Sequence, residues 1–139
     1  MNAAVFDRLF EVDARASVLL IGELAHRHRA RAATWGRIVS LISGGPSGFP
    51  EEVSYGAAKA ALASYTMAAA TELASQGITV NCVHPPVTDT GWVADAVRAF
   101  VAASPDHVHV AAPADVAAVI LWLVSDAAQL VTGNTLILR

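Results

Sequence analysis

The sequence predicts an α/β fold: a parallel sheet of about three strands with helices on both flanks. Two observations predict it. Short apolar runs rich in β-branched residues recur at 38–43, 78–83 and 135–138. Each is preceded by a longer segment whose apolar residues return near the helical period. Strands that alternate with helices are joined by crossovers, so they run parallel and are covered on both faces. The 139 residues make a single domain.

The elements follow in order. Residues 4–30 predict one helix, with Val5, Phe6, Leu9, Phe10, Val18, Leu19, Ile21 and Leu24 on its apolar side. The basic stretch 26–31 suits a solvated C-terminal end, where cations meet the negative pole of the helix. The run 38–43 predicts a buried strand, and the glycines and prolines of 44–50 a loop. Residues 53–75 predict an alanine-rich helix closed by Gly77 as the residue beyond its C-cap. The second strand stops at Pro85-Pro86, and a short helix is expected near 93–102. Pro113 and Asp115 mark the start of another helix. The last strand follows Thr132-Gly133-Asn134.

Composition narrows the function. A net charge of −3 leaves no basic footprint for nucleic acid. Apolar residues make up 55% and the mean hydropathy is +0.48, so part of the surface is expected to be covered by another subunit. No apolar run reaches the roughly 20 residues that span a bilayer, and no signal peptide is evident. Cys82 is the only cysteine, which rules out an internal disulfide and fits a reducing cytoplasm. A soluble, cytoplasmic protein is expected.

The strongest chemical signal is Tyr55 and Lys59, four residues apart at the start of a helix. Lys59 is the only lysine and Tyr55 one of two tyrosines. Side chains at i and i+4 share a helix face. A phenol ionises near pH ~10 in water, and a neighbouring cation favours its ionised form. Tyr55 is therefore a candidate proton donor and acceptor. Ser43, at the tip of the preceding strand, is a candidate for holding a substrate oxygen.

Together, Gly36-Arg-Ile-Val-Ser-Leu-Ile-Ser43, Tyr55-Gly-Ala-Ala-Lys59, the stretch from Ile78 to Trp92, Ala112-Pro-Ala-Asp-Val and Val131-Thr-Gly133 resemble the short-chain dehydrogenase/reductase family over nearly the whole chain. The resemblance implies the C-terminal, catalytic part of a Rossmann-like doubly wound parallel sheet. It implies an enzyme that uses NAD or NADP to interconvert an alcohol and a carbonyl on a small-molecule substrate. Tyr55 would be the general acid/base, Lys59 would hold the nicotinamide ribose, and Ser43 would orient the substrate. Pro85, Pro86, Thr88 and Thr90 would line the nicotinamide. Asp13 matches the position where the family usually has the asparagine that begins a proton relay. Pro86 replaces a glycine, which removes an N–H. The glycine-rich motif that holds the cofactor pyrophosphate has no counterpart here. Gly44-Gly45-Pro-Ser-Gly48 lacks its spacing, so poor cofactor binding by the isolated chain is expected.

The family's long helix and catalytic helix commonly pair with a partner subunit. A homo-oligomer through residues 4–30 and 53–75 is therefore expected, and a non-catalytic association module is the alternative function. A hydrolase using Ser43 has no base near it in sequence. His107 and His109 are read as a solvated loop rather than a metal site, and no metal is expected. His84 is assigned a structural role ahead of a pocket-lining one. The segment around Trp92 and Phe100 is either a substrate lid or core packing.

Overall fold

The computed structural model describes residues 2–45 and 48–139. Pro46 and Ser47 of the glycine-rich loop lie outside the described residues. The sheet has three strands, β1 (Gly36–Leu41), β2 (Ile78–His84) and β3 (Thr135–Ile137), all parallel in the order β1-β2-β3. Gly36 lies opposite Ile78, and Cys82 opposite Thr135. The described residues include five α-helices, α1 (Ala3–Leu9), α2 (Ala16–Ala30), α3 (Val53–Leu73), α4 (Asp95–Ala103) and α5 (Pro113–Leu123), of which α2, α3 and α5 pack on the strands.

Alternation along the strands divides the core in two. Ile38, Ile78 and Val80 pack with Ile21 and Ala25 of α2 and with Ala69, Ala70 and Leu73 of α3. Val39 and Val83 pack on the other side with Val116, Val119, Ile120 and Leu123 of α5. The predicted doubly covered parallel sheet is therefore present. The loop from Val131 to Asn134 is tied to β2: Asn81 Nδ2 donates to Val131 O at 2.8 Å, and Thr132 Oγ1 accepts from Val80 N at 3.1 Å.

The single helix expected over 4–30 is interrupted. Phe10–Arg15 form a π-helical turn between α1 and α2, in which Ala16 N–H donates five residues back to Glu11 O. One residue is thereby added to the helical turn, a local feature that side-chain periodicity does not reveal. The turn packs against α3 and brings Asp13 toward it. The basic stretch at the end of α2 is only partly solvated. His28 is 4% exposed, with Nε2 3.1 Å from Trp35 O. It is buried because the chain turns back to begin β1 beside it.

Gly77 takes the expected left-handed conformation, φ 73°, after a 3-10 turn at Ala74–Gln76. A Cβ there would lie 2.1 Å from Thr34 O, so the close approach of the α2–β1 connection also requires glycine. At the start of α5, Asp115 accepts from Ala112 N at 2.8 Å, closing the helix end as its position suggested. No described helix is long and apolar enough to cross a membrane.

Candidate active site

Helix α3 begins beside the carboxyl end of β1, and its first turns carry Tyr55 and Lys59. Lys59 reaches into a nearly enclosed space. Its Nζ lies 2.9 Å from Asp13 Oδ1, with side chains 14% and 18% exposed. Nζ also donates to Leu41 O at 3.3 Å and sits 5.5 Å from the centre of the Tyr55 ring. The π-helical turn, the end of β1 and the start of α3 thus meet at one ammonium. Asp13 thus engages a residue distant in sequence, on another helix. Its carboxylate is oriented by the one lysine of the chain.

Ser43 lies just beyond this cluster. The strand proper ends at Leu41, earlier than the expected 43, although Ile42 N–H continues the ladder to Val83 O at 2.9 Å. Gly44 then turns the chain with φ 92°. Ser43 is half-buried and two residues from the carbonyl that Lys59 holds. The loop returns over α3 by stacking Phe49 edge-on against Tyr55, ring centres 5.6 Å apart. Gly56 makes room for it: a Cβ there would lie 2.6 Å from Phe49 Cβ. Neither Gly56 nor Phe49 stands out from spacing or chemistry along the sequence. The glycine immediately after the tyrosine was the available signal.

The stretch Pro85–Thr90 leaves the end of β2 as a shaped loop. Thr88 Oγ1 donates to Pro86 O at 2.9 Å, and Asp89 N donates to Ala111 O at 2.9 Å. Pro85, Pro86 and Thr88 are half-buried, and Thr90 is exposed. Asp89 accepts from Gly91 N and pairs with Arg98; these contacts, the Gly91 hydrogen bond foremost, hold its carboxyl below the ordinary aspartate value. Trp92 and Phe100 are 58% and 62% exposed. Neither ring packs in the core: Phe100 lies on the outward side of α4, and Trp92, ahead of that helix, donates Nε1 to Thr88 O at 3.0 Å.

His109 is exposed, but His107 is half-buried, its ring edge-on to Phe100 at 6.0 Å. His84 ends β2 beside a cavity of about 450 Å³, and its Nδ1 has no hydrogen-bond partner. Cys82 is fully buried, and burial raises its thiol above the ordinary value, which leaves it unreactive.

A family described as enoyl-(acyl carrier protein) reductase matches residues 1–138. The chain belongs to the short-chain dehydrogenase/reductase family, a family of oxidoreductases. An uncharacterized oxidoreductase of Bacillus subtilis, YjdA, is 36% identical over 135 residues, covering 96% of this chain and 54% of that protein. The cis-4-hydroxycyclohexanecarboxylate dehydrogenase of Sinomonas cyclohexanicum is 40% identical over 140 residues, 98% of this chain and 55% of that one. A 4-hydroxyisoleucine dehydrogenase mutant solved with NADH and succinate superposes with a TM-score of 0.89 at 26% identity, over 99% of this chain and 58% of that one. The chain spans a little over half the length of these relatives.

Proposed function

We propose that the chain acts within an NAD(P)-dependent oxidoreductase that interconverts an alcohol and a carbonyl on a small molecule, with Tyr55 as the general acid/base. The observation that supports it best is the convergence of Asp13, Lys59 and Tyr55 beside the carboxyl end of β1. An ammonium has three N–H donors, and Lys59 directs two of them to Asp13 and Leu41 O. The third is free to hold a ribose hydroxyl, so the residues present fit the nicotinamide end of the cofactor. Bound nicotinamide supplies or accepts the hydride.

In carbonyl reduction, the Tyr55 hydroxyl donates its proton to the substrate oxygen, and the Lys59 cation stabilises the phenolate left behind. In oxidation, the phenolate takes the proton back. Ser43 donates a hydrogen bond to the same oxygen and holds the reacting carbon in line. Asp13 positions Lys59 and acts through it. Pro85, Pro86, Thr88 and Thr90 line the nicotinamide, with Pro86 offering no N–H to it. NADH and NADP each accompany solved relatives, so either cofactor suits the reading.

We also propose self-association through residues 4–30 and 53–75. Val12, Leu19, Leu20 and Tyr65 are all more than half exposed there, and a second copy would cover them. A cytoplasmic site of action accords with the lone buried cysteine.

The test is a hydride-transfer assay with NADH and NADPH against a panel of ketones and alcohols, run on a form of the protein that turns over and on its Tyr55→Phe variant. Turnover lost in the variant while cofactor fluorescence titrations stay unchanged supports the assignment. Turnover retained by Tyr55→Phe removes Tyr55 from its role.

A further inference from the structure

We propose that the outer edge of β1 is a docking surface for a further strand, carried on a second polypeptide that supplies the remaining length of a family domain. The proposal stands on the sheet alone and holds whether or not the chain takes part in hydride transfer.

β1 stands at one end of the strand order and pairs with β2 alone. Residues 78–83 of β2 are all buried, whereas in β1 only Ser40 is buried, residues 36–39 are half-buried and Leu41 is exposed. The N–H of Gly36 donates to Gly77 O at 3.1 Å, and that of Ile42 to Val83 O at 2.9 Å. Alternate residues of a paired strand turn their backbone groups to opposite edges. Even-numbered residues of β1 therefore serve β2, and Arg37, Val39 and Leu41 turn their N–H and C=O outward. Leu41 O fits this alternation, because it is the carbonyl that Lys59 Nζ takes at 3.3 Å. That contact closes the carboxyl end of the edge and leaves Arg37 and Val39 with both backbone groups open.

Native sheets blunt an open edge with charge, proline or a bulge, or cover it. β1 has no proline, and its register with β2 runs unbroken from Gly36 to Leu41. Its one charged residue, Arg37, does not guard the edge. The side chain is 7% exposed, lies 3.8 Å from Asp126 and folds over the Trp35 ring at 5.3 Å. The strand is also apolar on both faces, with Ile38 toward α2 and α3 and Val39 toward α5. Such an edge suits strand addition. Trp35, just before the strand, and Leu121 and Trp122 on α5 are large exposed apolar side chains, which call for helices as well as a strand. Length identifies the occupant. Almost the whole chain aligns with its relatives, yet it spans only 54%, 55% and 58% of three of them. The rest of such a protein is long enough to supply strands and helices together. Because all three strands here are parallel and covered on both faces, the added strand continues the sheet in parallel.

The experiment co-refolds the chain with a polypeptide made of the part of its 40% identical relative that lies outside the 55% aligned here. Size-exclusion chromatography reads the assembly, and hydrogen-exchange NMR reads the backbone amides. In the chain alone, the amides of Arg37 and Val39 are expected to exchange about a hundredfold faster than those of Ile38 and Ser40, which bond to β2. With the partner, a one-to-one complex is expected, in which the Arg37 and Val39 amides slow by about tenfold or more. Val39→Pro removes an outward N–H and no bond to β2, and it is expected to weaken the complex about tenfold. Circular dichroism checks that this variant folds; should it not, the exchange rates of the unaltered chain decide. Slow exchange of Arg37 and Val39 in the chain alone would mean that a second copy already covers the edge, and it overturns the proposal. So does the absence of a complex, a complex that leaves these two amides fast, or a folded Val39→Pro that binds as tightly as the unaltered chain.

Discussion

Lys59 and His84 stand near the same end of the same sheet, yet their surroundings treat them oppositely. The lysine is nearly enclosed and engaged twice, by Asp13 at 2.9 Å and by Leu41 O at 3.3 Å. The histidine, with its neighbour His107, keeps a buried nitrogen without a partner at the wall of an open cavity. A group satisfied by its own protein is held in one geometry before any ligand arrives, which is what an acid/base centre needs. A group left unsatisfied gains most when a ligand supplies the missing partner. The contrast separates a group that its own fold holds in place from one that its own fold leaves without a partner.

The largest expected effect is at the reaction centre. In a form of the protein that turns over, Tyr55→Phe lowers kcat by roughly a hundred- to ten-thousand-fold, because the proton donor is gone. Steady-state kinetics beside cofactor titration measures it. Next comes the ion pair. Asp13→Ala leaves the Lys59 ammonium facing an enclosed space without its counter-charge, and the expected cost is about 2 kcal/mol in urea unfolding. That is below the value for a fully buried pair, because both side chains keep some solvent contact. An unfolding midpoint identical to wild type would mean the pair is solvated and does not hold the lysine.

His107→Leu is the counterpart, and it should behave differently. Replacing an unpaired buried nitrogen with carbon loses no intramolecular hydrogen bond, so stability changes by less than about 0.5 kcal/mol or rises. A large destabilisation would give His107 a partner that the geometry does not contain and would erase the contrast with Lys59. The smallest effect concerns the Asp89 loop. Its carboxyl is held below the ordinary value, so the ionised form is favoured in the folded chain. That contribution is present above the unfolded aspartate value and is lost as pH falls through the folded one. The Gly91 amide resonance should therefore stay constant down to the ordinary aspartate range and move only below it. Movement near neutral pH would contradict the Gly91 and Arg98 contacts.

The order of elements was readable from periodicity alone, because a doubly covered parallel sheet needs strands apolar on both faces and helices between them. Gly77 was readable as well, since only glycine enters the left-handed region without strain. The interruption at Phe10–Arg15 was not. A π-helical turn alters which carbonyl each N–H reaches while leaving the side-chain pattern helix-like, and it arises where α1 and α2 must both fit against α3. His28 illustrates the same limit: its sequence neighbours are Arg27 and Arg29, and only the returning chain at Trp35 makes it a buried group. His84 could be placed beside Pro85 but not given a role, because an orphaned nitrogen exists only once every possible partner has been located.

From the sequence alone came the fold class, the family resemblance and the pairing of Tyr55 with Lys59, all of which depend on spacing along one chain segment. The tertiary structure decided that Asp13 meets Lys59 across 46 residues of chain, and that His84 and His107 line one cavity. Local spacing is set by helix and strand geometry, whereas meetings between distant segments depend on how packed layers bring their ends together.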